Sequence, residues 1–184
     1  MQLIKDNPGV LVKSILLCLT ITAFAATSHA QTKSELLAAI RKDFQSINSN
    51  KTLTKKTLNN EEFMENMTDG GGELTAYYKK DSIVKIFEWI GLSYGNRTRE
   101  FYFKSNKLFF VYEKFESFLI IDTSQEMDYS KTKKTFEGRY YFNKDKLIEQ
   151  KITGKRTFED ESPGIIKELQ ESAKENRKLL IQKK

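Results

Sequence analysis

The sequence predicts a single α+β domain over residues 31–184, an antiparallel β-meander of six or seven strands with a helix at each end. Three observations lead to this fold class. A short phrase recurs three times between Glu73 and Ile152, aromatic and β-branched residues are concentrated in the same stretch, and amphipathic segments precede and follow it. The phrase is an aromatic pair, a polar break with Asp or Asn near its end, and an aliphatic run, which is typical of a β-hairpin.

The first 30 residues are predicted to be a cleaved signal peptide. Lys5 and Lys13 precede an uncharged run over 15–26, and small residues at Ser28 and Ala30 suit the positions before a cleavage site. The run has the length of a signal-peptide core and is too short to span a membrane. We expect cleavage after Ala30, a periplasmic or secreted product, and no transmembrane segment in the mature chain. An uncleaved N-terminal anchor is the alternative.

The composition of the mature chain excludes several chemistries. The one Cys and the one His are Cys18 and His29, and both lie within the predicted signal peptide. Residues 31–184 therefore lack thiol nucleophiles, histidine bases, disulfides and the usual zinc ligands. We expect no cofactor. An exported chain without cysteine in its mature part indicates a bacterial envelope protein.

The charge pattern does not favour nucleic-acid binding. The whole chain has a net charge of +6, and removal of two basic residues and one acidic residue with the signal peptide leaves +5. Basic and acidic residues are interspersed, whereas a nucleic-acid-binding protein clusters Lys and Arg along one face or groove. We therefore expect no nucleic-acid partner.

The first element after the signal peptide is predicted to be an amphipathic helix that begins at Thr32 or Ser34 and ends over 48–50. Thr32 and Glu35 have capping-box spacing. Apolar residues recur every three or four positions and form one stripe, which we expect to dock on the sheet. The stripe consists of Leu37, Ile40, Phe44 and Ile47.

A connector and six main strands follow. We expect a short edge strand over 52–58, a helical turn over 60–64, and a glycine-rich turn over 69–72 that leads into the sheet. The aromatic and β-branched segments predict strands over 73–78, 83–90, 97–103, 108–115, 135–142 and 147–152, with a further short strand over 118–121.

The breaks between these strands are predicted to be turns and one long loop. Asp81, Asn106 and Asp145 fall in the hairpin turns, where a residue with left-handed backbone conformation is often required. Residues 122–132 are polar and are predicted to form a surface loop.

Counting outward from the second hairpin turn predicts one apolar and one mixed face of the sheet. If Phe103 pairs with Leu108, then Arg99 faces Tyr112 and Glu100 faces Val111. The mixed face would be partly open, and we interpret it as a candidate binding surface. Its residues are Glu100, Tyr102, Phe109, Val111 and Glu113. The alternative is that the sheet is covered here and that these aromatic residues belong to the core. No catalytic or metal-binding residue is assigned.

The last element is predicted to be a second amphipathic helix. Ser162 and Pro163 suit its cap and its first helical position. Its apolar side, which we expect to dock on the sheet, consists of Ile165, Ile166, Leu169, Ala173 and Leu180.

The three hairpin phrases, over 77–83, 102–108 and 141–147, resemble the MORN-variant repeats of exported bacterial proteins, although those repeats normally have Gly in the turn. The whole layout is similar to uncharacterised exported proteins of Bacteroidota-type bacteria. The resemblance implies a location in the cell envelope and assigns no functional residues.

The leading functional hypothesis is a non-enzymatic periplasmic or secreted binding or interaction protein of the bacterial envelope. Its partner would be an envelope protein or an apolar or peptide ligand. One alternative is a small hydrolase that uses a pair of carboxylates in a cleft, with Glu100 and Glu113 as the nominated pair. Another is a carrier of an apolar ligand, which would need a cavity beneath a concave aromatic sheet.

Overall fold

The computed structural model describes residues 31–121, 126–155 and 164–183. The predicted signal peptide, 1–30, lies outside the described residues. So do residues 122–125 of the predicted loop and the predicted helix cap at Ser162 and Pro163. The folded unit begins at Lys33.

Seven antiparallel strands form one sheet in chain order. The strands are β1 (Thr54–Asn59), β2 (Gly72–Lys79), β3 (Ser82–Leu92), β4 (Gly95–Lys104), β5 (Lys107–Ile120), β6 (Met127–Asn143) and β7 (Lys146–Gly154). The helices are α1 (Lys33–Ser49), the single-turn α2 (Asn60–Phe63) and α3 (Ile165–Gln182). The predicted α+β meander with a helix at each end is confirmed.

The glycine-rich turn before β2 makes a close backbone approach to β3. The N–H of Gly70 donates to the carbonyl of Gly91 at 3.1 Å, and the N–H of Gly91 donates to the carbonyl of Gly71 at 2.8 Å. A Cβ atom on Gly70 would lie 2.7 Å from the backbone of Gly91. Because only glycine permits this approach, the glycines are explained by the turn.

The three predicted hairpins are confirmed, each with a two-residue turn between paired strands. Asn106 and Asp145 have φ angles of 65° and 64°, so their predicted left-handed conformation is confirmed. The residue before each of them is also left-handed, which is characteristic of a type I′ turn. In the first hairpin the left-handed residue is Lys80, with φ of 55°, and not the predicted Asp81.

The third turn offers a test of this backbone assignment. Lys144 and Asp145 have φ angles of 49° and 64°, a conformation that disfavours most L-residues. Replacement of the pair by Asn-Gly, the preferred type I′ sequence, is expected to raise the free energy of unfolding by roughly 0.5–1 kcal/mol. Urea denaturation followed by the fluorescence of Trp89 measures the change.

A glycine placed just outside this turn provides the matched control. Lys146 begins β7 and is not among the residues with positive φ. Lys146→Gly is therefore expected to lower the free energy of unfolding by roughly 0.5–1 kcal/mol. Equal effects of the two changes would contradict the type I′ assignment.

Each of the three hairpins has a β-bulge next to its turn. Phe103 pairs with Leu108, but Tyr102 pairs with Phe110, so Phe109 is an extra residue on β5. The corresponding extra residues in the other two hairpins are Val84 and Ile148. A bulge bends its strand and increases the local twist, so the three bulges curve the sheet at equivalent places.

The bulge corrects the predicted register between β4 and β5. Arg99 pairs with Glu113 and not with Tyr112, and Glu100 pairs with Tyr112 and not with Val111. The predicted count assumed regular alternation through the residue that bulges. It was therefore one residue wrong from that point onward.

Strands β5 and β6 are longer than predicted and extend past their neighbours. The predicted strands over 108–115 and 118–121 belong to one strand, β5, which ends at Ile120. The predicted loop over 122–132 is wrong from Met127 onward, where β6 begins. Ile120 is 58% exposed on this projecting arm, so no core requires apolar residues there, and the polar start of β6 was interpreted as a loop.

Helix α3 covers one face of the sheet. Leu169, Ala173 and Leu180 are buried against inward-facing residues of the strands, among them Phe101 and Val111. Ile165 and Ile166 pack at the margin of the same cluster. The predicted docking of the last helix is confirmed.

Helix α1 covers part of the opposite face. Leu37 and Ile40 are buried in a second cluster with Tyr102 and Phe110, and the other two residues of the predicted stripe, Phe44 and Ile47, pack against it. Successive residues of a strand point to opposite faces. The docking of α1 through its apolar stripe is therefore confirmed on the face that α3 leaves free.

Candidate functional site

Helix α1 crosses the sheet from β7 to β3 and is fixed at both ends. At its start, Lys33 Nζ lies 3.1 Å from Glu149 Oε2 on β7. Near its end, Asn48 Oδ1 accepts a hydrogen bond from Lys85 Nζ at 3.2 Å and lies 3.1 Å from the hydroxyl oxygen of Tyr102. These contacts set the position of α1 over the strands.

Two cross-strand rows of side chains lie beneath and beside α1. In the first row the paired residues on β4 to β7 are Tyr102, Phe110, Tyr141 and Glu149. The ring of Phe44 packs on this row, 5.0 Å from the Tyr102 ring and 5.2 Å from the Phe110 ring. The second row lies two residues away from the first on each strand and consists of Glu100, Tyr112, Arg139 and Lys151.

A cleft of about 500 Å³ opens between α1 and these rows. We call it the α1 cleft. Helix α1 contributes Ile40, Arg41, Phe44 and Gln45. The sheet contributes Glu100, Phe110, Tyr112, Arg139, Tyr141 and Lys151. The first row and the apolar side chains of the helix form an aromatic and aliphatic floor, and the second row forms a polar wall.

The middle of the polar wall is organised by Glu137, which lies on β6 just outside the cleft. Its carboxylate lies 2.5 Å from Lys134 Nζ and 2.6 Å from an Arg139 nitrogen, and it accepts a hydrogen bond from the Tyr112 hydroxyl at 3.1 Å. The hydrogen bond from Lys134, aided by Tyr112 and Arg139, lowers the pKa of Glu137. Burial and the adjacent Glu137 carboxylate raise the pKa of Tyr112 to about 12. Tyr112 is therefore a neutral hydroxyl at physiological pH.

The one carboxylate that lines the cleft, Glu100, already has an ion-pair partner and a hydrogen-bond donor within the protein. Glu100 lies 2.9 Å from Lys85 Nζ and accepts a hydrogen bond from the Tyr102 hydroxyl at 2.5 Å. Burial, reinforced by the Glu100 charge, raises the pKa of Tyr102 well above its usual value. Tyr102 is therefore a fixed hydrogen-bond donor to Glu100 and not an acid–base group.

The predicted binding residues do not form one open face. Tyr102 and Phe109 lie on the α1 side, and both are buried in its cluster. Val111 and Glu113 lie on the α3 side and are buried there. Of the five nominated residues, Glu100 alone lines the cleft. The shared open face was a wrong prediction, because the bulge at Phe109 shifts the alternation of β5 by one residue.

The nominated carboxylate pair is separated for the same reason. Glu100 lies on the α1 side of the sheet, and Glu113 lies on the α3 side, where Arg99 Nε is 2.9 Å from its Oε1 atom. The two groups therefore cannot flank a single scissile bond.

Arg99 is the centre of an ionic network that was not predicted. Arg99 is 1% exposed, and its guanidinium contacts Glu113, also 1% exposed, and Glu168 of α3 at 2.7 Å. Burial alone would lower the pKa of Arg99, but the charges of Glu113, Glu88 and Glu168 together raise it above its usual value. Nearby, Asn176 of α3 donates a hydrogen bond to Glu88 of β3 at 2.7 Å. The network joins α3 to the centre of the sheet.

Two further features concern the part of the chain that the structure describes. Within it, no group of three or more acidic, His or Cys side chains is arranged to hold a metal ion. None of the helices within these residues has the length and apolar character needed to cross a bilayer.

The fold and site together define an antiparallel meander with one helix on each face and a cleft beside the N-terminal helix. Comparison of the chain with protein-family models, with curated proteins and with solved structures found no match.

Proposed function

We propose that this chain is a non-enzymatic, exported protein of the bacterial envelope that binds a small apolar or amphipathic ligand in the α1 cleft. The export signal predicted at residues 1–30 supports the envelope location. The cleft supports the binding role. A partner protein that presents an apolar side chain or peptide would use the same surface.

The observation that carries the proposal is the α1 cleft itself. Its volume of about 500 Å³ is within the range of small-molecule sites, about 300–1,000 Å³. Such sites combine a mostly apolar lining with a few polar groups that orient the ligand. The cleft has this composition, since Ile40, Phe44 and Phe110 form its floor while Arg139 and Lys151 stand on its wall.

Binding is favoured over hydrolysis by the state of the carboxylates. Catalysis by a carboxylate pair requires two such groups on one cleft with different proton affinities. Here Glu100 is neutralised by Lys85 and hydrogen-bonded by Tyr102, and Glu113 is enclosed with Arg99 on the other side of the sheet. A carrier role remains compatible with the cleft and differs from simple binding in the release of the ligand.

Binding can be tested with N-phenyl-1-naphthylamine, a neutral dye whose fluorescence increases in apolar surroundings. The chain from Gln31 is expected to bind it saturably. Gln45→Trp places a large side chain in the cleft from the exposed side of α1. Overfilling a site costs about 1–3 kcal/mol, so this variant is expected to bind the dye about tenfold more weakly or worse.

Lys42→Trp is the matched control. Lys42 is exposed on the same helix and does not line the cleft. It adds the same apolar surface elsewhere, so its affinity for the dye is expected to equal that of the unmodified chain. Equal affinities of all three proteins, or no saturable binding, would refute the proposed site.

A further inference from the structure

The rim of the α1 cleft has more positive than negative charge. Arg41, Arg139 and Lys151 line it, against one carboxylate, Glu100. That carboxylate is neutralised by Lys85, which lies on β3 and is not part of the cleft lining. The three cations therefore face the cleft with no acidic partner inside it.

The acidic partners of these cations lie outside the cleft and leave donors available. Arg139 contacts Glu137 through one nitrogen and stacks over the Tyr112 ring at 5.6 Å. A guanidinium has five N–H donors, so several remain for a ligand. Lys151 Nζ is 3.6 Å from Glu149, a carboxylate that it shares with Lys33 of α1 at 3.1 Å.

Arg41 is the most available of the three cations. It is exposed on α1, and no ion pair joins it to any acidic residue within 31–121, 126–155 and 164–183. It reaches the cleft from the helix, whereas Arg139 and Lys151 reach it from the sheet. A negative group at the rim would therefore be approached from both walls.

The apolar floor begins one row away from these charges. Arg139 and Tyr141 are two residues apart on β6, which corresponds to about 6.6–6.8 Å along a strand. From Tyr141 the floor continues through Phe110, 5.0 Å between ring centres, to Phe44, a further 5.2 Å. A charged group held by Arg139 and Lys151 would thus have an apolar surface directly behind it.

From this arrangement we infer that the ligand of the α1 cleft is a single-chain amphiphile with one carboxylate headgroup, of the fatty-acid type. The headgroup would lie between Arg41, Arg139 and Lys151, and the chain would lie on Phe44 and Phe110. This inference deepens the proposed function and rests on it. A cleft of about 500 Å³ is in the lower half of the range for small-molecule sites, which favours one chain over a two-chain lipid.

Three probes with the same chain and different heads test the headgroup. Dodecanoate, 1-dodecanol and dodecyltrimethylammonium are titrated against the chain from Gln31, the two charged probes below their micelle-forming concentrations and the alcohol below its solubility limit. Displacement of N-phenyl-1-naphthylamine gives each affinity. Dodecanoate is expected to bind at least about tenfold more tightly than dodecanol, or about 1.4 kcal/mol, and the cationic probe is expected to bind most weakly. The preference for dodecanoate should decrease as salt is added.

Charge-removing variants test which residues hold the headgroup. Arg139→Gln and Lys151→Gln are each expected to weaken dodecanoate binding several-fold and to leave dodecanol binding unchanged. Lys133→Gln, which removes an exposed cation outside the cleft, is the control and should change neither. Urea denaturation of each variant verifies that it is folded, since Arg139 also contacts Glu137.

The outcomes separate this inference from the proposed function. If dodecanol or the cationic probe binds as tightly as dodecanoate, and Gln45→Trp weakens all of them, the headgroup assignment is wrong while the cleft remains a binding site. If no probe binds, or if Gln45→Trp has no effect on any, both proposals fail. If Arg139→Gln and Lys151→Gln lose dodecanoate binding selectively, both the cleft and its headgroup assignment are supported.

Discussion

Replacement of Arg99 by methionine is expected to lower the free energy of unfolding by about 3–5 kcal/mol, as is typical when one member of a buried ion pair is removed. The variant leaves Glu113, which is 1% exposed, charged and without the guanidinium 2.9 Å away. Glu168 can turn to solvent, because its side chain is already 46% exposed. Urea denaturation followed by Trp89 fluorescence gives the difference.

The double variant Arg99→Met/Glu113→Leu distinguishes a lost charge partner from lost packing. Because it removes both buried charges together, it is expected to regain most of the stability and to lie within about 1–2 kcal/mol of the unmodified chain. Lys104→Met is the surface control on the same strand. Its ion pair with Asp43 is largely exposed and contributes about 1 kcal/mol or less. A double variant as unstable as Arg99→Met would show that burial of charge is not the cause.

Truncation of Leu169 to alanine is the second change with a large expected effect, a loss of about 2–5 kcal/mol. Leu169 is fully buried where α3 meets the sheet. The strands beneath it are held by their hydrogen-bonded neighbours, so the cavity cannot collapse fully. Thermal unfolding followed by circular dichroism measures the loss, and the helical and sheet signals should disappear together, because α3 and the strands share one core.

Two variants at and beside this position bracket the effect. Leu169→Met keeps nearly the same volume and is expected to cost less than about 1.5 kcal/mol. Glu171→Ala lies on the exposed side of α3, where its contact with Lys167 is 3.7 Å long, and should change stability by less than about 0.5 kcal/mol. A Leu169→Ala variant as stable as Glu171→Ala would contradict the docking of α3 through this residue.

Much of the fold could be predicted because local chemistry decides it. The apolar stripe that ends in Ile47 and the one centred on Leu169 both place their helices on the sheet as expected. The turns at Asn106 and Asp145 have the backbone conformation that those residue types tolerate. In each case the signal is contained within a few neighbouring residues.

The binding surface could not be predicted because it depends on a single displaced residue. A bulge at Phe109 decides that Glu113 points to α3 and Tyr112 to α1. One signal was available in the sequence. Shortly after each hairpin turn, two or more apolar residues stand in succession, as in the run from Leu108 to Val111, and such a run is inconsistent with regular pairing on a two-faced sheet.

The α1 cleft was also beyond the reach of the sequence. Its wall joins Glu100, Arg139 and Lys151, which are 39 and 12 residues apart along the chain and meet only through the registers of three strand pairs. The strongest indication of a binding site in the sequence was Arg139, a charged residue within the aromatic strand β6. Without the registers, nothing associates it with Arg41 of the first helix.

The repeated bulge determines which changes of chain length the sheet can absorb. Deletion of Phe109 removes the one residue between Lys107 and Ser117 that has no partner on β4, so Val111 still faces α3 and Tyr112 still faces α1. Deletion of Val111 instead would exchange the faces of every later residue up to the next bulge. Each of these three hairpins thus contains one position where loss of a residue leaves the pairing intact. Over evolutionary time, insertions and deletions in this sheet should be confined to these positions, to the two register shifts between β5 and β6, and to the turns.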